Sequence, residues 1–337
     1  MTGTARRRLV TLVGFVAAIA ALVALVSVVG VSGTLAEITT VRPLVLLALL
    51  ACTLGWLAAW SYTLHRVLSS LGTGRAWSYR RSLLLYAATT AVNNVAPFSV
   101  AGAEPVSAFL VSRHTRSSYE RGFAVIASVD LLNFVPAPAF AVLGSLYLFG
   151  GAATGGALPV GIVSLLAALA ILSAVAILAW RYRYRVVTAL LAVVDTVRRR
   201  ARRDRPARAS TSERVDVLLD TFERVAADRR AIGLGLAAST LGWALSSATL
   251  WFALYAVGYE VPVAVALLVV PLAMVADLVP TPGGIGSVDA ALVLLVVTTA
   301  AVPATAATAA VFFHRASTYL LPTLLGGLAL LALRLTE

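Results

Sequence analysis

The sequence predicts an all-helical polytopic membrane protein, with about six transmembrane helices, two re-entrant helical hairpins and an inverted-topology repeat. Three observations carry this. The 337 residues are 60% hydrophobic and only 12% charged, where a soluble domain is nearer half apolar and a quarter charged. All 27 basic residues are arginines, and they cluster beside apolar runs, where they set topology and meet anionic headgroups. Two long apolar stretches, 82–112 and 261–302, are interrupted by prolines, glycines, asparagines and acids.

The elements follow in order. Residues 9–31 form a first span, too long for a signal-peptide core. A second runs over 43–64 and ends at His65, Arg66, Arg75, Arg80 and Arg81. The stretch 82–112 has arginines at both ends, so one straight helix would carry them to opposite sides. Its middle, NNVAPFSVAGAEP, leaves arms shorter than the ~20 residues a span needs, so a hairpin that dips in and returns is expected. Residues 122–149 form a third span, GGAATGGALP an uncharged outer linker, and 158–180 a fourth. The segment 181–230 is an Arg-rich cytoplasmic loop with 14 arginines and 7 acids. Within it, Val215, Leu218, Leu219, Phe222 and Val225 recur at helical spacing, and Ser210 and Glu213 have capping-box spacing. An amphipathic helix over about 211–228, lying on the membrane surface, is predicted. A fifth span covers 231–257, a second broken segment 261–302, and a last span 304–333. This path puts 25 of the 27 arginines on the cytoplasmic side, with both termini. The chain is read as one membrane domain, 1–337, in two repeats, 1–149 and 158–337, crossing the cytoplasmic membrane several times.

The two broken segments correspond. Asn94 precedes Pro97 by three residues, as Asp277 precedes Pro280. Small residues follow, including Gly102 in the first segment, then an acid, Glu104 or Asp289, then an apolar helix. Interrupted hydrophobic segments at matching places in two halves point to a transporter's binding site. The second segment reads DLVPTPGGIGSVDAAL, residues 277–292. Irregular backbone at membrane depth is tolerated where it is buried in protein or lines a watery cavity. Pro280 and Pro282 stop the helix, and Gly283, Gly284 and Gly286 let backbone approach a ligand. A helix starting near Ser287 would aim its free N–H groups at an anion.

Each candidate side chain has a functional and a structural reading. Asp277 and Asp289 bind a cation, relay a proton or meet a lipid amine, or else cap the helix and bond the loop. Arg315 holds a lipid phosphate bidentately, or pairs with Asp289 or Asp277. His314 accepts a proton or is a packed helix residue. Glu104 mirrors Asp289. Asn93 and Asn94 touch substrate or satisfy broken backbone. Asp130 and Asn133, one turn apart, face a cavity or make an interhelical hydrogen bond. The arginines at 198–208 sit on anionic headgroups.

Enzyme motifs are missing: HExxH, the P-loop and GxSxG do not occur, and His65, His114 and His314 are too scattered for a metal site. Cys52 stands alone, so no internal disulfide forms. The expected protein is not an enzyme and uses no cofactor or metal. Its partners are membrane lipids, anionic or polyprenyl-linked, and not nucleic acid; a second copy or a partner enzyme is compatible. Two functions fit: transport of a lipid, or a non-transporting membrane subunit that anchors or regulates a lipid- or glycan-modifying enzyme.

At VPTPGGIGSVDAAL the chain resembles the flippase-like membrane family that includes the membrane domain of lysylphosphatidylglycerol synthases, whose signature is PTPGGIG-x-x-E. The segment 94–104 is similar to that family's first motif, and FFHRASTYLLPTLLGG, 312–327, to its closing pattern through Arg315 and Pro322. The resemblance covers nearly the whole chain and implies lipid translocation. Asp289 replaces the family's usual Glu, and GAEPVSAF carries no arginine before Arg113. The synthases' soluble aminoacyl-transferase domain is not read in this sequence, so lipid lysylation is not expected.

Overall fold

The computed structural model describes residues 42–72, 77–96, 99–149, 211–279 and 281–335. The expected spans at 9–31 and 158–180, the outer linker between 149 and 158, Ser210 and most of the Arg-rich loop lie outside the described residues. Among the described residues all regular structure is helical. Four helices are long and apolar enough to cross a membrane: Pro43–Ser70, Tyr119–Phe149, Arg229–Ala256 and Ala304–Arg334. Large apolar side chains stand on their outer faces, Leu44 at 76%, Tyr147 at 72% and Leu328 at 64% exposure. A lipid solvent removes the cost of that exposure.

Helix α1, Pro43–Ser70, starts with proline in its first turn, where no intrahelical N–H is needed. It lies antiparallel to Arg229–Ala256, named α7 by chain order. Thr63 Oγ1 donates to Gly235 O at 3.2 Å and Trp60 Nε1 to Ser239 O at 3.3 Å. Trp56, Trp60 and Trp243 form an edge-to-face ladder with centroids 5.2 and 5.8 Å apart. A Cβ at Gly242 would collide with the Trp60 indole, so glycine admits the ladder.

Helices α2, Tyr79–Val95, and α3, Ser99–Thr115, flank the first break. Helix α4, Tyr119–Phe134, returns antiparallel to α3, capped by Ser118, whose hydroxyl accepts from Arg121 N at 3.3 Å. Helix α5, Pro136–Phe149, continues α4 across a junction at Val135, so the expected third span is two collinear segments. Pro136 and Pro138 lack the N–H groups that would carry the ladder across.

Helix α6, Thr211–Ala227, turns its apolar face to α4. Leu218, with Val215 and Phe222, packs on Phe123 and Ala124 of α4, and Arg214 pairs with Glu120 at 3.3 Å. Helix α7 opens with Asp228 accepting from Ala231 N at 2.8 Å.

Helix α8, Val263–Ala273, tightens into a 3₁₀ turn over Met274–Leu278. A second 3₁₀ turn, Pro282–Gly284, precedes α9, Ser287–Ala300. Ala301 takes a left-handed conformation, φ 51°, ahead of α10, Ala304–Arg315. A π turn over Ala316–Leu320 joins α10 to α11, Leu321–Leu335. Pro322 follows one residue later, and without an N–H it cannot donate to the carbonyls of that turn.

Two apolar cores divide the bundle. One gathers α7, α8, α9 and α10 around Leu250, Val269, Leu292 and Val311. The other gathers α1, α2, α4 and α11 around Leu64, Leu68, Leu85, Val129 and Leu333.

Candidate functional site

Both broken segments touch at one place. The Pro282–Gly284 turn packs on the C-terminal end of α2, and a Cβ at Gly283 would stand 2.6 Å from Asn94 O and collide with the Tyr319 ring. Gly283 has φ +56° and Gly284 φ +68°, so these positions need glycine for conformation as well as for space. Asp277 leans over the same turn: a Cβ at Gly284 would stand 2.8 Å from its Oδ1. Gly286, φ +84°, leads into α9.

Asp289 performs two roles at the start of α9. Its Oδ2 accepts from Gly286 N at 2.8 Å, which satisfies one of the helix's orphan donors. Its Oδ1 lies 2.7 Å from Arg315 Nε, with the two side chains 19% and 11% exposed. That contact is close but off the N–H axis, and neither atom has an aligned hydrogen-bond partner. It is an ion pair held by charge rather than by geometry. Arg315 Nη2 donates to Gly283 O at 2.8 Å, and the guanidinium carbon stands 4.7 Å from the Tyr319 ring centroid. One of five arginine donors is therefore aligned on an acceptor among the described residues.

Tyr319 and Thr323 complete the site, and neither was among the residues singled out from sequence. The Tyr319 hydroxyl donates to Asn94 O at 3.0 Å. Asn94 Nδ2 donates to Thr323 Oγ1 at 2.7 Å and to Tyr319 O at 3.2 Å. The signal was present: Arg315, Tyr319 and Thr323 fall at intervals of four and share one helix face.

The sequence-selected residues thus divide. Asn94, Asp277, Gly283, Gly284, Gly286, Asp289 and Arg315 come together. Pro282 opens the turn. Pro97 and Pro280 lie outside the described residues. Gly102 falls in α3, and Glu104 on that helix makes no ion pair with Arg315, so the symmetry with Asp289 does not extend to pairing. His314 Nδ1 lies 2.7 Å from Thr249 Oγ1, which ties α10 to α7 away from the glycines.

The arrangement offers a guanidinium, a helix start and glycine-lined backbone at the junction of two broken segments. Such a site attracts an anion, while Asp289 balances the arginine's charge when none is present. Among the described residues no group of histidines, cysteines and acids has metal-binding composition.

No curated protein matches the chain in a sequence comparison. The family model for the lysylphosphatidylglycerol synthase transmembrane region matches residues 11–326. With nearly its whole length matched, and with the glycine turn, the acid and the arginine assembled at one site, the chain belongs to the lysylphosphatidylglycerol synthase transmembrane-region family.

Proposed function

We propose that the protein is a lipid flippase that carries an anionic-headgroup phospholipid or a polyprenyl-phosphate-linked lipid across the membrane. The observation that carries this reading is the meeting of both broken segments at the Gly283 turn, which Arg315 holds through Gly283 O. In this reading 82–112 and 261–302 are re-entrant hairpins of opposite entry, belonging to inverted repeats with six full spans. The headgroup phosphate takes the free donors of Arg315, and Asp289 stays as the cap of α9. Acyl or isoprenoid tails remain in lipid, and rocking of the halves alternates access. The membrane is the cytoplasmic one, with both termini inside.

The test uses purified protein in sealed liposomes containing headgroup-labelled lipids, one an anionic phospholipid and one a polyprenyl phosphate. Exposure of the label across the bilayer is followed over time. Movement of one lipid class, lost in Asp289→Asn and Arg315→Ala, is the expected result. A folded protein that moves neither lipid would sink the reading and favour a membrane subunit that anchors a separate enzyme.

A further inference from the structure

A second polar cluster is shared by α2, α3 and α4, away from Arg315; Asp130 and Glu104 in it are partly exposed. Asp130 lies in the middle of the membrane-length segment Tyr119–Phe149. An ionisable side chain there marks an ion or proton path more often than a structural need.

The register of α3 against α4 brings Glu104 to it. Gly122 of α4 packs so tightly on α3 that a Cβ would stand 2.9 Å from Ser112 N and strike Ala108 O. The helices are antiparallel, so eight residues back from Ser112 and eight forward from Gly122 reach the same level, about 12 Å along each axis. Those residues are Glu104 and Asp130. Among the described residues Glu104 is the one ionisable carboxylate whose charge reaches Asp130, and neither α1 nor α7 presents a charge to it. From α2, Tyr86 turns its hydroxyl toward both Asp130 and Asn133.

Asn133 supplies an independent pointer to a ligand. It is 6% exposed, and its Oδ1 is buried with no hydrogen-bond partner. The side chain faces the same Tyr86 hydroxyl as Asp130 does, one turn away on the same helix. Its backbone is fixed: Asn133 O accepts from Trp243 Nε1 at 2.6 Å and from Ser239 Oγ at 3.3 Å. Thr90 Oγ1 donates to Tyr86 O at 2.9 Å and Ser107 Oγ to Asn93 Oδ1 at 3.4 Å, which leaves the Tyr86 hydroxyl as the nearby donor. Two carboxylates of like charge brought close together favour a cation between them.

We propose that Asp130, Glu104 and the Asn133 side-chain carbonyl bind a small monovalent cation, either a proton or Na⁺. A proton would join the carboxyl oxygens and let one acid donate to Asn133 Oδ1. Na⁺ would take the same oxygens as ligands. Either gives the membrane domain a cation site separate from the Arg315 site.

The test reads the thermal unfolding midpoint of the full chain in phosphatidylcholine nanodiscs, followed by tryptophan fluorescence. In the first arm sodium replaces choline at constant ionic strength and alkaline pH. In the second the pH is lowered in choline buffer. A ligand bound only by the native state raises the midpoint as its concentration rises. The expected result is a rise in one arm that is lost in Asp130→Asn and retained in Asp130→Glu. A sodium response assigns Na⁺, and a response confined to the pH arm assigns the proton. Glu104→Gln is the second variant should Asp130→Asn fail to fold. A midpoint that moves equally in wild type and variants, or in neither arm, overturns the proposal. Cation binding without lipid movement in liposomes would leave this site standing while the flippase reading falls.

Discussion

Arg315 and Asp289 neutralise each other beside the glycine turn, and the cost of separating them governs how each variant behaves. Removing one partner of a buried pair leaves an uncompensated charge, worth about 3–5 kcal/mol. Arg315→Ala leaves the Asp289 carboxylate with the Gly286 N–H as its sole aligned partner. Asp289→Asn keeps an acceptor for that N–H but strands the guanidinium. Each single variant is therefore expected to lose stability, and the double variant Asp289→Asn, Arg315→Ala to lose less than the sum by about 1–3 kcal/mol. Unfolding of all four proteins in the same detergent checks this, and strict additivity would mean that the pair is not coupled. The double variant should still fail to move lipid. Both members of this pair were legible in the sequence, because a charge inside an apolar run is conspicuous. Tyr319 was legible only as a spacing of four from Arg315, since an aromatic residue in such a run looks like core. Only the fold shows its hydroxyl on Asn94 O and its face under Arg315.

Several helix pairs in this bundle meet through glycine. Gly326 of α11 lies on α2, where a Cβ would stand 2.6 Å from Ala91 Cβ and collide with Ala87 O. A methyl there pushes rigid backbone, not a side-chain tip, so α11 must shift away from α2. Gly326→Ala is expected to cost about 1–3 kcal/mol, the usual range for overpacking. Gly327→Ala, next along the chain, faces open space and should be near neutral. Parallel thermal unfolding of the two variants tests the crossing, and equal losses would refute it. Hydropathy with arginine placement located the long helices to within a few residues, because length and flanking charge are local properties. The Val135 junction, the π turn at Ala316–Leu320 and the docking of α6 on α4 were not legible. Each depends on a neighbour, and an amphipathic pattern cannot say whether its apolar face meets lipid or protein.

At the scale of the whole molecule, most of the described arginines collect at one end. Leu68 near the end of α1, Val225 near the end of α6 and Leu333 near the end of α11 share one core. Arg116 and Arg121 line a cavity with Leu68 and Leu71 at that same end. Since α1 and α7 are antiparallel, Arg229 and Arg230 join them there. The opposite end holds Arg42 and the loop from Val257, where Trp251 Nε1 donates to Val261 O at 2.9 Å. The charge difference between the ends predicts insertion with the arginine end in the cytoplasm. Single-cysteine variants test this, because Cys52 is buried and gives little background. Arg80 and Glu260 are both exposed, one at each end. In intact cells a membrane-impermeant maleimide should label Glu260→Cys and leave Arg80→Cys unlabelled until the membrane is opened. The reverse pattern would invert the protein and put the Arg-rich segment outside. Labelling of both from one side would mean that α1 and α7 do not span at all, and the proposed lipid path past Arg315 would lose its setting.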